Sequence, residues 1–158
     1  MKKLTLYFTT ASKQGFVSKI IQWVQGTPFS HVAIGVNIGS LDENIIYEAG
    51  ERGVVCEQYD NWIKKNKIAF EHVFTYTESD YKDVIKFCIK QLGKPYGFRN
   101  LLAIFLGRTN VIDDDKSYIC SEFAYVALKS QFEDLFKNQD VVTPKDLYNY
   151  LIEKYVES

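Results

Sequence analysis

The chain has 158 residues, of which 46% are hydrophobic and 25% charged, with a net charge of −1. That size and balance fit one domain, residues 1–158, with a core of its own, and they leave no electrostatic footprint for nucleic acid or an anionic membrane. Aromatic residues make up 15% of the chain, so Phe and Tyr packing should carry much of that core.

Three cysteines, Cys56, Cys88 and Cys120, form an odd set at wide spacing. They make neither a disulfide framework nor a zinc pattern, they suit a reducing compartment, and no cofactor or metal is expected. Met1-Lys2-Lys3 leads into an alternating stretch that is too short and too polar for a signal sequence. No apolar run approaches bilayer length. The expected location is cytoplasmic or virion-associated, without stable membrane insertion.

Leu4 to Thr10 has strand composition. After Ser12–Phe16, a helical stripe of Phe16, Ile20, Trp23 and Val24 is closed by Gly26 and Pro28. Phe29 to Val36 is the next strand, with Val32, Ile34 and Val36 on one face and His31, Ala33 and Gly35 on the other. A turn over 37–44 leads to a returning strand, Ile45 to Ala49, and a turn at 50–53 to a third, Val54 to Cys56. Tyr59 to Lys65 reads as a short helix capped by Asp60, with the basic run at 64–67 as a solvated turn, and Ile68 to Tyr76 as a strand.

A helix capped by Thr77 or Ser79 follows, with a buried stripe of Val84, Ile85, Cys88, Ile89 and Leu92, ended by Gly93 and Pro95. Residues 98–106 form an apolar, helical segment, and 107–116 a polar loop. Its three acids, Asp113 to Asp115, lack the alternating ligands and distal Glu of a calcium loop. A nearly all-apolar helix starts at Cys120, and a last helix starts at Thr143 with Pro144 in its first turn and Asp146 closing a capping box.

Cys120 at a helix start would face unpaired backbone N–H groups, an environment that favours the thiolate, the form that attacks carbonyls. The competing reading is a small buried hydrophobe, the common fate of free cysteines. A nucleophile needs a base, and there are two histidines. His72 is either an exposed strand residue or a satisfied core one. His31 lies on a strand face whose small residues, Ala33 and Gly35, leave room for a packed helix. A hairpin centred between Gly39 and Ser40 would set Glu48 directly across from His31, within reach of a carboxylate–imidazole hydrogen bond. A one-residue slip would put Glu48 on the wrong face. Without the cysteine beside them, the two would be only a surface pair.

Several blocks occur in order along the chain: Phe29-Ser-His-Val-Ala-Ile34, Tyr47-Glu-Ala49, Gly93-Lys-Pro-Tyr96, Tyr118-Ile-Cys-Ser-Glu-Phe123 and Val142-Thr-Pro-Lys-Asp-Leu147. In these the chain resembles the circularly permuted NlpC/P60 superfamily of papain-like cysteine hydrolases, in its YiiX-like branch. The resemblance implies an α+β fold in which a central helix bearing the nucleophile packs on a small antiparallel, barrel-like sheet. It implies Cys120 as nucleophile, His31 as base and then acid, and Glu48 as the orienting group. It also implies a substrate-side role for Tyr96 and Tyr118, and a peptide, cell-wall peptide or lipid-like amide or ester as substrate. The family commonly has an acid after the Pro-Tyr pair, where this chain has Gly97. Two alternatives stand beside a cysteine peptidase or amidase: a catalytically silent binding or virion-structural protein on the same scaffold, and a lipid acyl hydrolase or transferase. The residues leave the oligomeric state open.

Overall fold

The computed structural model describes residues 1–11, 26–37, 44–97, 117–132 and 142–155. The expected helical stripe at 16–24, the interior of the first hairpin turn, and the segments at 98–106 and 107–116 lie outside or largely outside these residues.

Five strands form one open antiparallel sheet: β1 (Lys2–Ala11), β2 (His31–Asn37), β3 (Asn44–Gly50), β4 (Gly53–Gln58) and β5 (Asn66–Tyr76), in the order β4-β3-β2-β1-β5. Five helices are described: α1 (Tyr59–Trp62), α2 (Glu78–Gln91), α3 (Cys120–Ala127), α4 (Lys129–Phe132) and α5 (Pro144–Tyr155). This is the α+β arrangement expected from the sequence, with the Cys120 helix packed against β2 and β3.

Strand alternation sorts the side chains into two layers. Leu4, Leu6, Phe8, Val32, Ile34, Val36, Tyr47, Ala49, Phe74 and Tyr76 face the larger core, shared with Phe123, Ala124 and Ala127 of α3 and Leu147 and Leu151 of α5. The opposite face carries a smaller cluster in which Tyr7, Ala33 and Ile46 surround the fully buried Trp62. The small residues Ala33 and Gly35 therefore do not receive the Cys120 helix, as their size suggested. They receive Tyr7 and the α1 cluster: a Cβ at Gly35 would stand 2.6 Å from the Tyr7 ring.

The β2–β3 register also differs from the simplest hairpin count. Ile34 pairs with Tyr47 and Asn37 with Asn44, a shift of two residues. Because side chains alternate with a period of two, a two-residue shift leaves every side chain on its expected face.

Helix boundaries follow local chemistry. Thr77 caps α2 by accepting from the Asp80 N–H at 3.2 Å, and Gly93 ends that stretch with φ +83°. The buried side of α2 is Tyr81, Val84, Cys88 and Gln91, whereas Ile89 and Leu92 are exposed. The stripe is rotated toward Tyr81, whose hydroxyl donates to the Asn37 carbonyl on β2. The position before α1 is Gln58, with Asp60 inside its first turn rather than capping it. At α5 the capping box forms as the sequence suggested: Asp146 N–H donates to Thr143 Oγ1 at 3.2 Å, and Thr143 N–H to Asp146 Oδ2 at 2.8 Å.

Candidate active site

Cys120 is the first residue of α3 and is 4% exposed. The first intrahelical bond runs from Phe123 N–H to the Ile119 carbonyl, so the three preceding N–H groups lie ahead of the ladder. Ile119 offers no side-chain acceptor. The Glu122 carboxylate supplies half of a capping box by accepting from Ile119 N–H at 3.2 Å. Ser121, fully buried, donates its hydroxyl to the Val142 carbonyl at 2.6 Å, which ties the start of α3 to the start of α5.

His31 is the first residue of β2, so its ring stands at the end of the sheet. Its Nε2 lies 2.8 Å from Glu48 Oε2 on β3, with 20% of the His31 side chain and 16% of the Glu48 side chain exposed. Cys120 acts on the same ring, both as a hydrogen-bond partner and as a neighbouring charge. With Nε2 engaged by Glu48, Nδ1 is the nitrogen left for sulfur.

The electrostatics of this group are mutually reinforcing. Burial opposes a charged imidazole, but the Glu48 charge, the Cys120 hydrogen bond and the Glu48 hydrogen bond outweigh it and push His31 up to about 10. Burial likewise opposes the Glu48 carboxylate, but the His31 charge and the hydrogen bonds from His31 and Trp62 hold it down at about 2. The imidazolium–carboxylate form is the stable one at neutral pH.

Tyr96 and Tyr118 are joined in a short parallel bridge that leads into Cys120. Gly97 N–H donates to the Tyr118 carbonyl at 2.9 Å, and Tyr118 N–H to the Pro95 carbonyl at 3.3 Å. A Cβ at Gly97 would crowd Ile119 N and Tyr118 C at 3.3 Å, which accounts for glycine where the resemblance led one to look for an acid. The Tyr96 phenol is held protonated, first by burial and then by the charges of Cys120, Glu122 and Glu51. The Tyr118 ring instead packs against Phe87 and Phe123 with the Lys94 ammonium over it, 5.1 Å from the centroid.

The other cysteines and the second histidine stand elsewhere. Cys88 is fully buried in the larger core, where burial pushes its thiol up to about 12. Cys56 is exposed on β4. The half-buried His72 packs edge-on against Phe74 and tilted against Tyr155, and burial lowers its pKa. Among the described residues, no group of three or more His, Cys, Asp or Glu is arranged to hold a metal ion, and no helix is long and apolar enough to cross a membrane.

One residue of this neighbourhood went unread in the sequence. Trp62 donates its indole N–H to Glu48 Oε2 at 2.8 Å, the same oxygen that meets His31. Its only signal was a tryptophan, with Tyr59 three residues before it, in the polar stretch 57–67.

The sequence matches the model of a family of permuted papain-like amidases, YaeF/YiiX, over residues 6–150. The chain belongs to that family. A solved structure described as metalloprotein yiiX from Escherichia coli O157:H7 has a similar fold, with a TM-score of 0.58 at 19% identity over 98% of this chain and 82% of that one. No curated protein matches the sequence. Family membership makes the chain a permuted papain-like cysteine hydrolase in general class.

Proposed function

We propose that this amidase-family chain hydrolyses an amide or ester through Cys120, His31 and Glu48. The observation that carries the reading is the 2.8 Å bond from His31 Nε2 to Glu48 on a ring that Cys120 also engages. Glu48 fixes the tautomer and holds the ring charged, so Cys120 and His31 share one proton as thiolate and imidazolium.

In the proposed reaction the Cys120 sulfur attacks the carbonyl carbon. The charge that develops on the carbonyl oxygen is taken by N–H groups at the start of α3, with the hydroxyl of Tyr96, on whose phenol the Cys120 charge acts, as a further donor. His31 passes its proton to the leaving nitrogen or oxygen as the carbon–heteroatom bond breaks, which leaves a thioester on Cys120. Water then attacks the thioester, His31 takes its proton, and the acid product departs with the thiolate restored. Tyr118 is proposed as a substrate-side residue through its backbone bridge to Tyr96, since its ring is committed to Phe87 and Phe123.

The substrates proposed are peptides, cell-wall peptides and lipid-like amides or esters. A panel of these classes, run with wild type, Cys120→Ala and His31→Ala, tests the reading. Turnover of one class by wild type, with loss in both variants, supports it. Turnover that survives Cys120→Ala overturns it.

A further inference from the structure

Glu48 Oε2 accepts two hydrogen bonds at 2.8 Å, one from His31 Nε2 and one from Trp62 Nε1. Trp62 is fully buried and its ring forms a three-ring cluster with Tyr7 and Tyr59, at centroid distances of 5.3 and 6.0 Å. Its own carbonyl is anchored by Lys65 N–H at 3.0 Å and Asn66 Nδ2 at 3.1 Å. Tyr7 in turn lies where Gly35 has no side chain to exclude it. The chain of contacts therefore runs Gly35, Tyr7, Trp62, Glu48, His31, through the smaller cluster on the sheet face opposite the larger core.

A carboxylate oxygen held by two donors from fixed directions must break both bonds to leave its place, whereas one held by a single donor breaks only one. We infer that Trp62 is a positioning residue for the hydrolase reaction: its indole N–H locks the Glu48 oxygen that aligns and charges His31. This rests on the proposed role of Glu48 and His31. It assigns to the small cluster around α1 a task beyond packing. Donation to the ionised carboxylate also favours that form over the neutral acid.

The test replaces Trp62 with the isostere β-(3-benzothienyl)alanine by site-specific incorporation, which keeps ring shape and removes only the N–H donor. Trp62→Phe serves as the genetically simple companion. Two quantities are read: the rate of Cys120 alkylation by iodoacetamide near neutral pH, followed by mass spectrometry, and the titration midpoint of the Glu48 carboxyl carbon by NMR, assigned through Glu48→Gln. The isostere is expected to slow alkylation by about fivefold to tenfold and to raise the Glu48 midpoint by about one pH unit. A merely structural Trp62 would leave both unchanged in the isostere, whatever Trp62→Phe does to folding, and that result overturns the inference. The Glu48→Gln and His31→Ala variants separate this failure from a broader one. If they too leave Cys120 alkylation unchanged, the site reading itself fails and the positioning role falls with it.

Discussion

His31 and Cys120 each stand at the first position of their element, the start of β2 and the start of α3, and Cys120 is among the groups that raise the His31 pKa. Their elements belong to different layers: α3 packs on the larger core, while His31 shares the sheet face of Ala33, Tyr7 and Trp62. Side chains from opposite faces of a sheet meet most readily at a strand end. Residues deeper in β2, such as Ala33 or Gly35, lie under the α1 cluster. The site is therefore a junction of element ends, held in place by whatever anchors those ends.

The Glu48→Gln variant should keep partial activity, lowered by about tenfold to a hundredfold, while Cys120→Ala and His31→Ala lose it. Glutamine retains an oxygen that can accept from both His31 and Trp62, but it gives up the charge that stabilises imidazolium. Steady-state kinetics on any substrate found active checks this. A Glu48→Gln enzyme at full activity would remove Glu48 from the reaction.

The ion pair should leave a pH signature in stability. His31 is raised from 6.5 to about 10, so its contribution is complete below 6.5 and is lost as pH rises toward 10. Glu48 is lowered from 4.5 to about 2, so its contribution is complete above 4.5 and is lost as pH falls toward 2. The stability gap between wild type and Glu48→Gln should be widest from about pH 4.5 to 6.5 and narrow on both sides. Urea denaturation at a series of pH values measures it, and a gap independent of pH would contradict the pairing.

Ser121→Ala should cost about 1–2 kcal/mol, because it leaves the Val142 carbonyl without its 2.6 Å donor in a buried setting. Since that bond ties α3 to α5, activity should fall somewhat further than stability alone explains. Chemical denaturation alongside kinetics checks both effects, and an unchanged urea midpoint would show the bond to be dispensable.

Gly53→Ala should be more damaging than its distance from Cys120 suggests. Gly53 has φ +87°, and a Cβ there would collide with the Lys94 carbonyl oxygen. That carbonyl accepts from Val54 N–H at 2.8 Å, and Gly93 N–H donates back to Val54 at 2.9 Å. The clamp holds the segment that delivers Tyr96. A loss of at least about 1–2 kcal/mol is expected from the left-handed backbone alone, with reduced turnover. A fully stable and active variant would contradict this account of the clamp.

The parts of this architecture that depend on periodicity and local chemistry could be read in the sequence. The five strands, the caps at Thr77 and Thr143 and the glycine after α2 follow from such signals. The pairing of His31 with Glu48 was legible only in its parity. The true register differs by two residues, which neither Gly39 nor Ser40 announces, yet the shared face survives the shift. What stayed hidden depends on tertiary packing. The small face of β2 could as well admit a helix as a tyrosine, and the stripe of α2 could rotate until the Tyr81 hydroxyl found Asn37. Trp62 lay beyond reach because a one-turn helix has no period from which to infer a partner.

Competitive alkylation of the three cysteines tests the central claim most directly. Wild type and His31→Ala are treated with iodoacetamide near pH 6, where ordinary thiols react slowly, and labelling is read by mass spectrometry. The account predicts that Cys120 reacts faster than the exposed Cys56 and far faster than the buried Cys88, and that His31→Ala removes this advantage. Labelling of Cys120 no faster than Cys56, and the same with or without His31, would contradict it.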